Sequence, residues 1–100
     1  MEVRVNIIKT VDGSKATLAI EGWLDTQTAP ELGVALDQLG KDVSELEFDF
    51  SKLEYVSSAG LRQIMSAHKR MAGNLVITGV SDEIQEVFDL TGMSKRLKIQ

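Results

Sequence analysis

The chain begins with an alternation of apolar and polar residues and changes its period several times afterwards. An Asp12-Gly13 pair separates two alternating segments, and a period of two is typical of strands, whose successive side chains point to opposite faces of a sheet. The alternating apolar positions are Val3, Val5 and Ile7 before the pair, and Ala16, Leu18 and Ile20 after it. The pattern predicts an N-terminal β-hairpin with its turn at Asp12-Gly13.

Three later segments have the period of an amphipathic helix. The apolar residues that share a helical stripe are Leu32, Ala35, Leu36 and Leu39, then Leu61, Ile64, Met65, His68 and Ala72, and finally Ile84, Val87 and Phe88. We expect the first helix over about residues 28–39, where Thr28 and Glu31 have the spacing of a capping box. Gly40 can then take the left-handed conformation at its end. Ser81 is the expected N-cap of the third helix.

The remaining apolar segments have the pattern of strands. They are Leu46, Phe48 and Phe50 alternating with acidic residues, the apolar run NLVITGV, and Leu97 with Ile99 between basic residues. The element order is therefore β-β-α-β-α-β-α-β. Because right-handed crossovers make strands that are separated by helices parallel, we predict one α/β domain over residues 1–100. It would contain a mixed sheet with an N-terminal β-hairpin and helices packed mainly on one face, the other face being only partly covered.

Composition and charge exclude several kinds of function. The chain has 100 residues with 43% hydrophobic residues, no cysteine and a single histidine, so neither a disulfide framework nor a metal site is expected. Its formal net charge of -4 disfavours direct binding to nucleic acid or to an anionic membrane. No glycine-rich phosphate loop and no apolar run long enough to span a bilayer is present, and we expect a cytoplasmic protein without a cofactor.

The segment YVSSAGLRQI, residues 55–64, lies where a loop is expected to become a helix. An N-cap formed by Ser57 or Ser58 explains one hydroxyl. It does not explain Gly60 well, because glycine in the first turn of a helix costs stability relative to alanine. Ala59 and Gly60 share a low profile, which indicates a smooth surface that a partner could contact.

A serine hydrolase is a poor interpretation of this segment. Ser58 and His68 belong to one predicted helix, and ten residues at about 1.5 Å each separate them by roughly 15 Å, whereas a nucleophile and its base need about 3 Å. The segment also lacks the glycine that precedes the serine in a G-x-S-x-G elbow. We therefore expect no catalytic residues, and we expect His68 at the edge of the apolar helix stripe.

Three segments together resemble a known family. DFSKLEYVSSAGLRQI resembles the signature of the STAS domain in bacterial anti-sigma factor antagonists, in which a strand ending in D-[LF]-S is followed by a loop and a (D/S)-S-x-G-L helix start. IEGWLDTQTAPEL is similar to the family's G-x-L-D-x-x-T-A segment, and VSDEIQEVFDLTGM to its third helical segment. The resemblance covers nearly the whole chain and implies the SpoIIAA-like fold.

The resemblance implies a switchable adaptor. In the family an anti-sigma factor that is a serine kinase phosphorylates the serine that falls on Ser58 here, the unphosphorylated form binds that kinase, and a PP2C-type phosphatase restores it. Ser57 stands where the common pattern has aspartate, which makes it a rival acceptor. The partner-binding residues implied are Asp25, Ser57, Ser58, Ala59, Gly60 and Arg62. The alternative is a STAS module without a phosphorylation cycle, docked in a transporter or signalling complex.

Overall fold

The structure is a computed structural model that describes residues 4–100. Within this range the strands are β1 (Val5–Asp12), β2 (Lys15–Leu24), β3 (Glu45–Asp49), β4 (Leu53–Val56), β5 (Leu75–Thr78) and β6 (Lys98–Ile99). The helices are α1 (Ala29–Asp37), α2 (Ser58–Arg70) and α3 (Asp82–Leu90), and a short 3-10 turn (Met93–Lys95) precedes β6. Val3, the first position of the predicted hairpin, lies outside the described residues.

One mixed sheet connects all the strands of the described range. β1 and β2 form the predicted antiparallel hairpin, in which Asp12 is paired with Lys15 across the turn. β3, β5 and β6 then follow β2 in parallel. β3 pairs with residues 15–19 of β2 and β4 with residues 22–24, so these two strands lie one after the other along the same edge of β2.

The hydrophobic core lies between one face of this sheet and the helices. Alternate strand residues and the apolar stripes of the helices belong to a single buried cluster. Its members include Leu18 and Ile20 of β2, Phe48 of β3, Ile77 of β5, Leu32 and Leu36 of α1, Ile64 and Ala67 of α2, and Ile84 and Phe88 of α3. The predicted fold class, a mixed sheet with its helices mainly on one face, is therefore confirmed.

The opposite face of the sheet is polar and partly open, as the acidic alternation of β3 predicted. Glu47 lies on this face, where Thr78 Oγ1 donates a hydrogen bond to its Oε2 at 2.8 Å. Lys15 Nζ lies 3.3 Å from Glu47 Oε1. These neighbours hold the carboxylate of Glu47 in place without burying it.

Three details of the predicted elements were wrong. β4 was not predicted, because its burial pattern has two exposed residues between two buried ones and does not alternate. The first helix ends at Asp37, and Gly40 is not among the glycines with a positive φ in the described chain. Ala72 lies beyond the end of α2, exposed and with φ 52°, so it does not belong to the apolar stripe of that helix.

Candidate functional site

Two loops that carry predicted site residues leave the sheet side by side. β2 and β4 are parallel neighbours in which Leu24 is paired with Val56. Asp25 and Ser57, which directly follow these two strands, therefore lie at the same end of the sheet. The Ser57 N–H donates to the Leu24 carbonyl at 2.9 Å and fixes the two loops to each other. The unpredicted strand β4 is thus the element that brings Asp25 close to the start of α2.

Asp25 is held by the loop that it begins. Its Oδ1 accepts hydrogen bonds from the N–H groups of Gln27 and Thr28, both at 2.9 Å. In return the Asp25 N–H donates to Thr28 Oγ1 at 2.9 Å, and the hydroxyl of Thr28 donates to the Trp23 carbonyl at 2.6 Å. Thr28 is the one buried polar residue of the described chain, at 4% exposure. The capping-box prediction for Thr28 was wrong, because its hydroxyl serves this loop and makes no cap bond to α1.

The carboxylate of Asp25 is stabilised in its charged form. The hydrogen bond from the Thr28 N–H is the main cause that lowers the pKa of Asp25 below its ordinary value of 3.8, and partial desolvation opposes this effect. The Thr28 hydroxyl, which shares its proton between the Trp23 carbonyl and Asp25 Oδ1 at 3.1 Å, and the Gln27 N–H lower the pKa further. Asp25 therefore carries a negative charge near the start of α2 at neutral pH.

Ser57 and Ser58 have different environments. Ser57 is the N-cap of α2, and its Oγ accepts a hydrogen bond from the Gly60 N–H at 3.2 Å. It is half-buried, whereas Ser58, the first residue of the helix, is exposed and its side chain makes no hydrogen bond within the described chain. The expectation that one serine caps the helix is confirmed for Ser57. The hydroxyl of Ser58 is left accessible to solvent.

Gly60 does not lie on the surface, so its interpretation as part of a smooth contact patch was wrong. It is buried, and a Cβ added to it would lie 2.6 Å from the Leu24 carbonyl oxygen and 2.8 Å from Val56 Cγ2. Gly60 is glycine because the first turn of α2 lies directly against the ends of β2 and β4. Ala59 is half-buried beside it.

An exposed aromatic pair at the same edge was missed by the sequence reasoning. Trp23 and Tyr55 are opposite each other on β2 and β4, with ring centroids 5.3 Å apart. They are 40% and 45% exposed, although large aromatic side chains are usually more buried. The exposure of Trp23 could have been predicted from the sequence, because the alternation along β2 places it on the outward-facing side of the strand. Its partner could not be found without β4.

Arg62 and His68 lie further along α2. Arg62 is exposed and follows Ser58 by one helical turn, on the same face. His68 is half-buried near the end of the same helix, so the separation that argued against a Ser58–His68 pair applies to the structure.

Over residues 4–100 no cluster of three or more histidine or acidic side chains is placed to hold a metal ion. None of the helices in this range has the length and apolar character required to cross a membrane.

Comparisons with known proteins agree with this architecture. The family model described as Mlab, STAS domain matches residues 9–99. The anti-sigma-B factor antagonist of Listeria monocytogenes is 30% identical over 97 residues, which cover 93% of this chain and 85% of that protein. The crystal structure of an anti-sigma factor antagonist from Mycobacterium paratuberculosis is similar with a TM-score of 0.84 at 19% identity, covering 95% of this chain and 84% of that one. The phosphorylated form of the Bacillus cell fate determinant SpoIIAA is similar with a TM-score of 0.66 at 16% identity, covering 96% of this chain and 90% of that one.

The mixed sheet and the helices on one face define a domain with the SpoIIAA-like fold. The chain belongs to the STAS domain family, and the resemblance stated from its sequence is confirmed. The Listeria relative and the Mycobacterium structure are both named as anti-sigma factor antagonists.

Proposed function

We propose that this protein is an anti-sigma factor antagonist that binds an anti-sigma factor serine kinase while it is unphosphorylated and loses that partner when Ser58 is phosphorylated. In the phosphorylation step the Ser58 hydroxyl gives its proton to a base of the kinase and receives the γ-phosphoryl group of ATP, and ADP is released. A PP2C-type phosphatase would restore the hydroxyl by hydrolysis. The observation that carries this proposal is the exposed side chain of Ser58 at the start of α2, beside a neighbour that already caps the helix.

The different environments of the two serines favour Ser58 as the acceptor. Modification of Ser57 would place a phosphate on the oxygen that accepts the Gly60 N–H, in a half-buried position. The oxygen of Ser58 makes no such bond within the described chain, so a phosphate there removes no hydrogen bond of the helix. Ser57 therefore serves the fold, and Ser58 can serve the switch.

A phosphate on Ser58 would be compatible with the fold and incompatible with docking. It would bring about -1.5 to -2 charges to a helix N-terminus, where free N–H groups and the helix dipole stabilise an anion. A partner that covers this position would have to desolvate the phosphate or move away from it. A loss of about 3 kcal/mol would weaken binding by more than a hundredfold. Bacillus SpoIIAA has been solved in a phosphorylated form, which supports the compatibility of this fold with such a group.

The proposed contact surface surrounds Ser58 and differs from the set expected from sequence. Asp25, Ala59 and Arg62 remain proposed contacts, together with Ser57. Trp23 and Tyr55 are added because exposed aromatic residues are the type most often found at the centre of an interface. Gly60 is left out of direct contact because it is buried.

The test uses the purified protein, a candidate anti-sigma factor kinase and ATP. We expect one phosphate, mapped to Ser58 by mass spectrometry, and no phosphate on a Ser58→Ala variant. A Ser57→Ala variant, which retains the acceptor, is the matched control and should still be modified at Ser58. Phosphate on Ser57 alone, or none on either serine, would contradict the proposed switch.

The same materials separate the alternative of a STAS module that docks constitutively in a transporter or signalling complex. The affinity for the candidate anti-sigma factor kinase is measured for the wild type, Ser58→Ala and Ser58→Asp. A switch requires that Ser58→Asp lose most of its affinity while Ser58→Ala keeps it. Equal affinity of all three proteins for the isolated partner would favour the constitutive module.

A further inference from the structure

The charges of α2 differ from those of the rest of the chain. The chain has a formal net charge of -4, yet residues 55–81 contain no aspartate or glutamate. Within this stretch α2 carries Arg62, His68, Lys69 and Arg70. A basic helix in an acidic protein requires an explanation, because charges of both signs are normally mixed on a surface.

Three of these side chains line an open cleft of about 650 Å³. Arg62, His68 and Lys69 of α2 line it together with Met65 and Ser66, and Arg96 reaches it from the segment between the 3-10 turn and β6. No acidic side chain of residues 4–100 is among its lining. The cleft is therefore bordered by cationic groups from two separate elements.

The cations of the cleft have no acidic partner in the described part of the chain. The ion pairs found there involve Lys15, Lys52 and Arg70, and none of these residues lines the cleft. Arg70 shows the contrast most clearly, since it lies next to Lys69 in sequence and its Nη2 is 2.7 Å from Asp37 Oδ1. Arg62, Lys69 and Arg96 are exposed and make no such contact.

Stabilisation of the helix explains only part of this arrangement. His68, Lys69 and Arg70 lie in the last turn of α2, where positive charge interacts favourably with the helix dipole. Arg62 lies near the opposite end, where the dipole disfavours a cation, and Arg96 belongs to another element. The convergence of Arg62 and Arg96 on one cleft with Lys69 is not required by the fold.

We propose that this cleft binds a carboxylate-rich polypeptide segment of a partner protein. Arg62 and Lys69 are seven residues apart on α2, which corresponds to about 10 Å along the helix axis. Acidic side chains about two turns apart on a helix would match this spacing. The site requires no phosphorylation of Ser58, although it shares Arg62 with the proposed contact surface around Ser58.

An acidic polypeptide fits the cleft better than the other anions. Nucleic acid is disfavoured because the formal net charge of -4 would repel its continuous line of phosphates more strongly than a short acidic segment that extends little beyond the cleft. A single phosphate is normally held by several convergent donors such as backbone N–H groups, whereas these cations are exposed and distributed over an open cleft. Exposed cations facing a longer acidic segment give complementary charge without a closed pocket.

The experiment measures binding of a fluorescein-labelled oligoglutamate peptide to the whole protein by fluorescence anisotropy. The test variant is the double charge reversal Lys69→Glu with Arg96→Glu. The matched control is Lys41→Glu with Lys95→Glu, which changes the net charge equally at exposed lysines outside the cleft. Arg62 is left unchanged because it also belongs to the proposed contact surface around Ser58. A negative result in this peptide-binding experiment is therefore distinct from a failure of the proposed phosphorylation switch.

We expect the cleft variant to weaken binding by about tenfold or more and the control to change it by less than about twofold, with affinity falling as salt is added. If the reversal unfolds the protein, as judged by circular dichroism, Lys69→Gln with Arg96→Gln removes the charges more mildly and should weaken binding in the same direction. The proposal is overturned if both charge reversals weaken binding equally, if the wild type does not bind at low salt, or if a single-stranded oligonucleotide binds more tightly than the peptide.

Discussion

Asp25 and Gly60 match positions of the family pattern, and the structure gives each of them a role inside the protein. The Asp25 carboxylate orders the loop after β2 through the N–H groups of Gln27 and Thr28. Gly60 allows α2 to approach the carbonyl of Leu24. A match to the pattern therefore does not by itself distinguish a residue that contacts a partner from one that shapes the surface.

Replacement of Gly60 by alanine tests the close approach of α2 to the sheet. Alanine usually stabilises a helix by about 1 kcal/mol relative to glycine. Here the new Cβ would lie 2.6 Å from a backbone oxygen, and we expect the overpacking to lower the free energy of unfolding by about 1 to 3 kcal/mol. Urea unfolding measures the change. Gly33→Ala on α1 is the matched control, since its Cβ would meet only the flexible end of Gln63 at 3.4 Å, and its stability should stay equal or rise.

The lowered pKa of Asp25 predicts a pH-dependent contribution to stability. Because the folded pKa is below the ordinary value of 3.8, the charged carboxylate stabilises the fold above that pH, and this contribution is lost as the pH falls through the folded pKa. We expect Asp25→Asn to be less stable than the wild type at neutral pH and the difference to narrow in acid. Unfolding at a series of pH values measures it. Asp42→Asn, at an exposed loop residue, is the control. This account would be contradicted if the difference in the free energy of unfolding between the wild type and Asp25→Asn stayed constant down to pH 3.

At the start of α2, the hydroxyl that caps the helix and the hydroxyl proposed as the phosphorylation site belong to neighbouring residues. Ser57 accepts the Gly60 N–H and Ser58 does not take part in the cap. We expect Ser57→Ala to lower the free energy of unfolding by about 1 kcal/mol and Ser58→Ala to change it by less than about 0.5 kcal/mol. Chemical denaturation of both variants measures the difference. Ser81→Ala, at the cap of α3, is the positive control and should resemble Ser57→Ala. Equal effects of Ser57→Ala and Ser58→Ala would show that the cap has been assigned to the wrong residue.

The elements could be predicted from sequence wherever one periodicity held over several residues. The hairpin, the three helices and the buried strand β5 follow from such runs, and Ser81 is the N-cap that its sequence indicated. β4 has four residues and its pairing with β2 shifts register at Gly22, so no alternation marked it. The bond from the Thr28 hydroxyl to the Trp23 carbonyl likewise depends on the shape of the loop.

The features of the candidate site that depend on local sequence could be predicted. Ser58 was placed correctly at an exposed helix start because capping chemistry and motif position both depend on local sequence. The contact of Gly60 with Leu24 and Val56 depends on the pairing of distant strands, so the sequence marked Gly60 as unexplained by capping but did not show what it contacts. The cationic cleft depends in the same way on Arg96 approaching α2, although the absence of acidic residues from residues 55–81 was visible.

At the scale of the whole molecule, α2 connects two surfaces with different proposed partners. Its start lies against the ends of β2 and β4, the strands that carry the Trp23–Tyr55 pair. The cleft shares Arg62 with the proposed contact surface and extends from it past the end of the helix to Gly73. A protein that uses both can hold a partner by the cleft while the state of Ser58 changes. Binding at the two surfaces should therefore be separable by a probe that lies at only one of them.

Trp23 is such a probe, because it is the single tryptophan of the chain and is 40% exposed beside Tyr55, near the ends of β2 and β4. A partner that covers this edge should remove water from the indole, and we expect the emission of Trp23 to move to shorter wavelength when a candidate kinase binds. Saturation with the oligoglutamate peptide should leave the emission unchanged. Trp23→Phe is the control that subtracts the signal of the partner's own tryptophans. The separation of the surfaces is wrong if the peptide shifts the emission as the kinase does, and the placement of the kinase at this edge is wrong if its binding leaves the emission of Trp23 unaltered.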